Sequence, residues 1–237
     1  VWDTFEVDGI PHQIASVGQG PFDGVGRAHK DATSNPSGPS APSDSDRNPS
    51  LAQDAAKLVK TAKQVFGELP YSNYLFQILF TGRGGGGLEH MDSTTLMAPR
   101  TWLAPGGRRA ELLGLVAHEH FHVWNVKRMR PAEFWTYDYE RENRTRLLWV
   151  AEGFTAYYDD LLCLRAGLFP EADYLARLAA NVRAMLRGQG RHVQSLEEAS
   201  EDAWLRLYRP DPNNVNSTQN YYGNGAVVAW LMDLTIL

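Results

Sequence analysis

The chain has 237 residues, 43% of them hydrophobic and 22% charged, and a formal net charge of −5. That length accommodates one large domain or two small ones, and the acidic balance gives no reason to expect a nucleic-acid partner. Its single cysteine, Cys163, excludes an internal disulfide and a four-thiolate metal site, and no stretch approaches the ~20 apolar residues of a membrane span.

In chain order, "TFEVDGIPHQIASVG" carries two alternating segments around Asp8-Gly9 and predicts a hairpin over residues 1–17, the edge of a truncated β region. The chain opens "VWDTFEV" without an initiator Met or a visible signal peptide, so it is expected to be an excised piece. A cytoplasmic location is favoured, with a periplasmic or secreted one left open. Residues 18–49 are rich in Gly, Ser, Pro and Asp and nearly devoid of large apolar side chains, which predicts a low-complexity, mobile surface insertion. Residues 50–237 are expected to form the functional domain.

That domain opens with a helix. Ser50 and Gln53 have capping-box spacing, Leu51 through Phe66 recur apolar at helical period, and Gly67 ends the run. "YLFQILFT" (Tyr74–Thr81) and "STTLMAP" (Ser93–Pro99) predict strands, with "GRGGGGLEH" between them as a glycine loop. The loop lacks the Lys-Ser/Thr of a phosphate cradle. Four helices are then expected from about Arg109 to Met129, Leu147 to Ala166, Pro170 to Gly188 and from the Ser195/Glu198 capping box, followed by an apolar helix in "GNGAVVAWLMDLTIL". The fold class is therefore α+β: mainly helical, with a small mixed sheet towards the N-terminus.

The chemistry gathers in "AHEHFHVWNVKRMRP" (Ala117–Pro131). On a helix His118 and His122 lie four apart on one face, so both imidazoles can reach one ion. Glu119 sits beside the pair but turned off it, where a carboxylate can take a proton from water without becoming a ligand. His120 projects from another side. A hydrolytic zinc site needs a third ligand. Glu152 supplies a candidate: it is a lone carboxylate in the apolar "LLWVAEGFTAYYDDLL", and such a group must be paired, protonated or bound to metal. The competing partners for Glu152 are Arg144 and Arg146. Asp159 and Asp160, two turns on, are read as solvated or as supporting a ligand. Lys127, Arg128 and Arg130 read as favourable charge at a helix C-terminus.

Taken together, "HEHFHVWNVKRMRP", "LLWVAEGFTAYYDDLLCLRAGL", "GGLEHMDST" and "NYYGNGAVVAWLMDL" resemble the glycyl aminopeptidase family of zinc metallopeptidases, gluzincins with a thermolysin-like catalytic domain. The resemblance covers nearly all of the chain outside Gly18–Pro49. It implies one Zn²⁺ held by His118, His122 and Glu152, with Glu119 as the base. It further implies a substrate-binding "GGLEH", with Gly87 in the motif and Glu89 on the substrate's α-amine; a loop carboxylate near Arg83 is the other reading of Glu89. Tyr222 is implied as the donor to the oxyanion, with Tyr221 as the fallback if the register slips. Asn224 departs from the pattern, which has Lys there. Family members usually add an N-terminal β domain and a PDZ domain, neither of which fits in this chain.

The function expected on this basis is a zinc aminopeptidase that releases small N-terminal residues, Gly or Ala, from a peptide or protein substrate. Two alternatives stand beside it: an endopeptidase on the same site, and a catalytically inactive binding domain. Oligomeric state is left open.

Overall fold

The computed structural model describes residues 2–18, 50–104 and 106–236. From residue 19 onward the low-complexity segment lies outside the described residues. The order of elements is β1 (Trp2–Val7), β2 (Ile10–Val17), α1 (Leu51–Phe66), β3 (Tyr74–Thr81), β4 (Gly86–Glu89), β5 (Ser93–Pro99), α2 (Arg109–Phe121), α3 (Leu148–Arg165), α4 (Glu171–Arg187), α5 (Leu196–Glu201), α6 (Asn214–Ser217) and α7 (Tyr221–Ile236). The chain divides into two compact units, Val1–Leu88 with Asp92–Leu113, and Glu89–Met91 with Gly114–Leu237.

The first unit is built on a mixed sheet of order β1-β2-β3-β5-β4. Asp8 and Gly9 both take positive φ, 53° and 80°, which is the turn that matches the strands' twist and joins β1 to β2 antiparallel. β2 pairs parallel with β3, and β3 with β5. Tyr74, Phe76, Ile78 and Phe80 alternate inward along β3, while α1 buries Leu51, Ala55, Leu58, Val59 and Ala62. Both ends of α1 are as predicted: the Ser50/Gln53 capping box is formed and Gly67 closes the helix at φ 86°. One expectation is corrected. The second half of the glycine stretch is not loop but the outermost strand, β4. Bonding to one neighbour suffices to hold a short edge strand, and glycine is tolerated at an edge.

In the second unit, α3 and α7 are both apolar around most of their circumference and pack on each other. Gly153 and Gly225 face one another at their crossing, and a Cβ built on Gly153 would lie 2.6 Å from the Gly225 Cα. Tyr157, Leu161, Ala226 and Ala229 continue that seam. Two helix limits differ from expectation. α2 stops at Phe121 rather than near Met129. Beyond it the backbone stays coiled, but the Lys127 and Met129 N–H groups reach back five residues, to the carbonyls of His122 and Trp124 (3.0 and 2.8 Å). α7 starts at Tyr221, two residues early, because the Asn220 side chain accepts the Tyr222 N–H (2.9 Å) and caps the helix.

Candidate metal centre

All the groups that converge here belong to the second unit. His118 and His122 stand one turn apart on α2 and its continuation, where the His122 N–H still bonds to the His118 carbonyl (3.3 Å). Their Nε2 atoms approach one oxygen, Glu152 Oε2 on α3, at 3.2 and 3.3 Å. The ligand atoms of the three residues lie within 4.8 Å of one another. Arg144 and Arg146, the rival partners for Glu152, instead pair with Glu142 (2.6 Å) and Glu201 (2.9 Å).

The other ring nitrogens fix how the imidazoles are presented. His122 Nδ1 lies 2.6 Å from the Asn125 carbonyl. A carbonyl only accepts, so Nδ1 carries the hydrogen and Nε2 faces Glu152. His118 Nδ1 bonds in the same way to Asp159 Oδ2 at 3.0 Å. A carboxylate or carbonyl behind each histidine is the usual arrangement around a metal-ligating imidazole. Of the two aspartates, Asp159 takes this supporting place, while Asp160 pairs with Arg177 (3.4 Å). Asn125, which sequence reasoning passed over, donates its amide to the Val150 and Ala151 carbonyls (3.1 and 3.0 Å) and ties the end of α2 to α3. Its signal was a buried amide in "VWNVK", which must find partners.

Charge is strongly perturbed here. Burial raises the Glu119 carboxyl to about 7, only partly offset by the two histidines. Its Oε2 is buried without a hydrogen-bond partner among the described residues. Burial pushes Glu152 the same way, yet bonds from His118 and His122 hold it at about 2. Burial acts to lower both histidines, but Asp159 and Glu152 carry His118 well above its ordinary value and Glu152 raises His122. Such a donor set, two imidazoles and a carboxylate with an orphan carboxylate alongside, fits a zinc ion.

The remaining predicted residues fall as follows. Glu89 ends β4, and it forms a second cluster with Glu119 and His122 whose ligand atoms lie within 4.8 Å. Its charged partner is Lys127 at 3.5 Å, both side chains being largely buried. Lys127 therefore has a specific partner beyond the helix end. Gly87 is exposed in β4, in the first unit. Tyr222 lies in the first turn of α7, its ring 6.3 Å from that of His118. Burial, then the Glu152 charge, hold its hydroxyl well above the phenol range, so it stays a donor. Tyr221 is buried and stacks on Tyr222. Both hydroxyls meet that of Tyr208, at 3.2 and 2.8 Å, a residue that the sequence did not flag. Asn224 bonds to Gln219 (2.9 Å). His120 is buried against Trp124, away from the cluster.

Residues 111–228 match the model of the M61 glycyl aminopeptidase family. Over this stretch the chain is similar to that family. Among solved structures, the aminopeptidase N family protein from Idiomarina loihiensis is similar with a TM-score of 0.84 at 32% identity, over 100% of this chain and 37% of that one. The M1 zinc metallopeptidase from Deinococcus radiodurans gives 0.54 at 15% identity, over 100% of this chain and 41% of that one, a likeness of fold alone. The chain thus spans little more than a third of the first of these structures. No match was found among curated proteins.

Proposed function

We propose that the chain is the thermolysin-like catalytic part of a zinc-dependent aminopeptidase acting on small N-terminal residues. The observation that carries this reading is the approach of both imidazole Nε2 atoms to one Glu152 oxygen, with the unpartnered Glu119 carboxylate beside them. His118, His122 and Glu152 would hold the zinc, which supplies Lewis acidity towards water and the scissile carbonyl.

The chain's own residues do the rest. Glu119, raised to about 7, is poised to take a proton from the attacking water and return it to the leaving amine. Tyr222 donates a hydrogen bond to the developing oxyanion, a role typically worth about 3 kcal/mol. Glu89 holds the substrate's ammonium at a set distance from the reacting carbon.

One observation favours an endopeptidase instead: Glu89 is already compensated by Lys127. Comparing an alanyl anilide with its N-acetyl form separates the two. A large preference for the free amine supports the aminopeptidase, and equal cleavage removes it. Glu119→Gln should keep stoichiometric zinc and lose turnover. Failure of the parent to bind zinc, or zinc retained by His118→Ala, defeats the site assignment.

A further inference from the structure

A groove of about 920 Å³ lies in the second unit, lined by two segments, one carrying Phe134, Tyr137 and Tyr139 and the other Trp204, Leu205 and Tyr208. We infer that this groove is a subsite for a large apolar or aromatic side chain of a peptide, located downstream of the bond that is cut. The inference rests on the aminopeptidase reading above and adds to it the class of peptide preferred.

Continuity with the metal cluster identifies the occupant. Tyr208 belongs to the groove wall, and its hydroxyl lies 2.8 Å from that of Tyr222. The Tyr222 ring lies 6.3 Å from that of His118, whereas Glu89 gathers with Glu119 and His122. A peptide with its amine at Glu89 therefore runs past the cluster towards Tyr222 and on to Tyr208. Residues after the first are thus the ones that meet the Tyr208 wall of the groove.

The walls indicate what they accept. Tyr139 is 91% exposed, Trp204 61% and Tyr208 53%, which is a large aromatic surface to leave in water. Two charged residues of the rim are already matched, Arg141 with Asp138 and Glu142 with Arg144. The rings thus offer stacking and apolar contact, beside the charged Glu140 and Arg209 that also line the groove. One wall is also held in shape. Asp138 and Asn143 clamp the loop by exchanging two hydrogen bonds (2.9 and 2.8 Å), and the Arg130 guanidinium lies 5.9 Å from the centre of the Tyr137 ring. On the other wall Trp204 and Tyr208 rest on each other, 5.5 Å between rings.

The test compares Ala-Gly-Phe-Phe-Gly, Ala-Gly-Gly-Gly-Gly and alanyl p-nitroanilide as substrates of the parent chain, Trp204→Ala and Tyr139→Ala. The parent should prefer the Phe peptide over the Gly peptide about tenfold in kcat/KM, the order of one buried aromatic contact. Either variant should cut that ratio to about twofold while lowering the Phe peptide relative to the anilide. A ratio unchanged in both variants, or no preference in the parent, overturns the inference. If the anilide and both peptides go uncleaved, the aminopeptidase reading fails. Calorimetric binding of the two peptides to Glu119→Gln then decides the groove alone: tighter binding of the Phe peptide, lost in Glu119→Gln/Trp204→Ala, upholds it, and equal affinities reject it.

Discussion

Lys127 and Glu89 pose a question that the sequence did not. Both are largely buried, 3.5 Å apart, and Glu89 borders the cluster formed with Glu119 and His122. If Glu89 receives the substrate's ammonium, Lys127 competes with it for the same carboxylate. Replacing Lys127 by Met keeps the aliphatic bulk and removes the competitor. KM for an alanyl anilide is then expected to fall several-fold with kcat little changed, since the anchor binds ground and transition states alike. Steady-state kinetics of K127M measures this, and an unchanged or raised KM denies Glu89 the anchoring role. A second residue governs pH behaviour. His12 is buried in the sheet, with Nδ1 2.9 Å from the Ile10 carbonyl and Nε2 3.1 Å from the Tyr71 hydroxyl. The carbonyl can only accept, so the ring carries a hydrogen on Nδ1. Burial holds its pKa below the ordinary 6.5. The unfolded chain therefore binds the extra proton first. Stability from His12 is complete above about 6.5 and is lost as pH falls towards the folded value. The drop in Tm between pH 7.5 and 5.5 should be smaller in His12→Gln than in the parent, whatever their absolute Tm values.

At the scale of elements, the crossing of α3 and α7 sets the distance between Glu152 and Tyr222. Gly153 follows Glu152 directly, and Gly225 lies three residues after Tyr222. A Cβ on Gly153 would meet the Gly225 backbone at 2.6 Å, and one on Gly225 would meet the Trp149 carbonyl at 2.7 Å. Backbone cannot yield as a flexible side chain can, so the helices must part. Gly225→Ala is expected to lose about 1–3 kcal/mol of stability. It should also lower kcat more than it raises KM, because the two groups that must act together move apart. Denaturant unfolding and steady-state kinetics check the two halves, and a stable, fully active G225A would refute the argument. The glycines were visible in "AEGF" and "YGNG", but not their meeting, which depends on how two helices remote in sequence cross. Legible elements were those with local causes: the Asp8-Gly9 turn, the two capping boxes and the β3 and β5 runs. β4 was missed because glycines carry no strand preference and only the neighbouring strand makes one. The early start of α7 had a local signal, Asn220, that the apolar run beyond it obscured.

For the molecule as a whole, His118, His122 and Glu152 were readable because helical spacing and an isolated carboxylate are local facts. Asn125, Lys127 and Tyr208 were not, since each acquires meaning only from a partner brought close by the fold. Every ligand atom of the cluster comes from the second unit, from α2, its continuation and α3. Zinc takes deprotonated imidazole and carboxylate ligands, so loading of His118, His122 and Glu152 should weaken as pH falls. Zinc bound to the folded state alone adds RT ln(1 + [Zn]/Kd), about 2.7 kcal/mol at a hundredfold excess over Kd. Chelation is therefore expected to lower Tm by several degrees and to speed amide exchange in 114–126 and 148–160. Exchange along β2 and β3, which contribute no ligand, provides the internal reference. Hydrogen-exchange mass spectrometry with and without EDTA reads both regions together. Protection lost equally in the sheet and in these helical segments would mean that the ion stabilises the chain generally, and protection unchanged everywhere would remove the metal from these three residues.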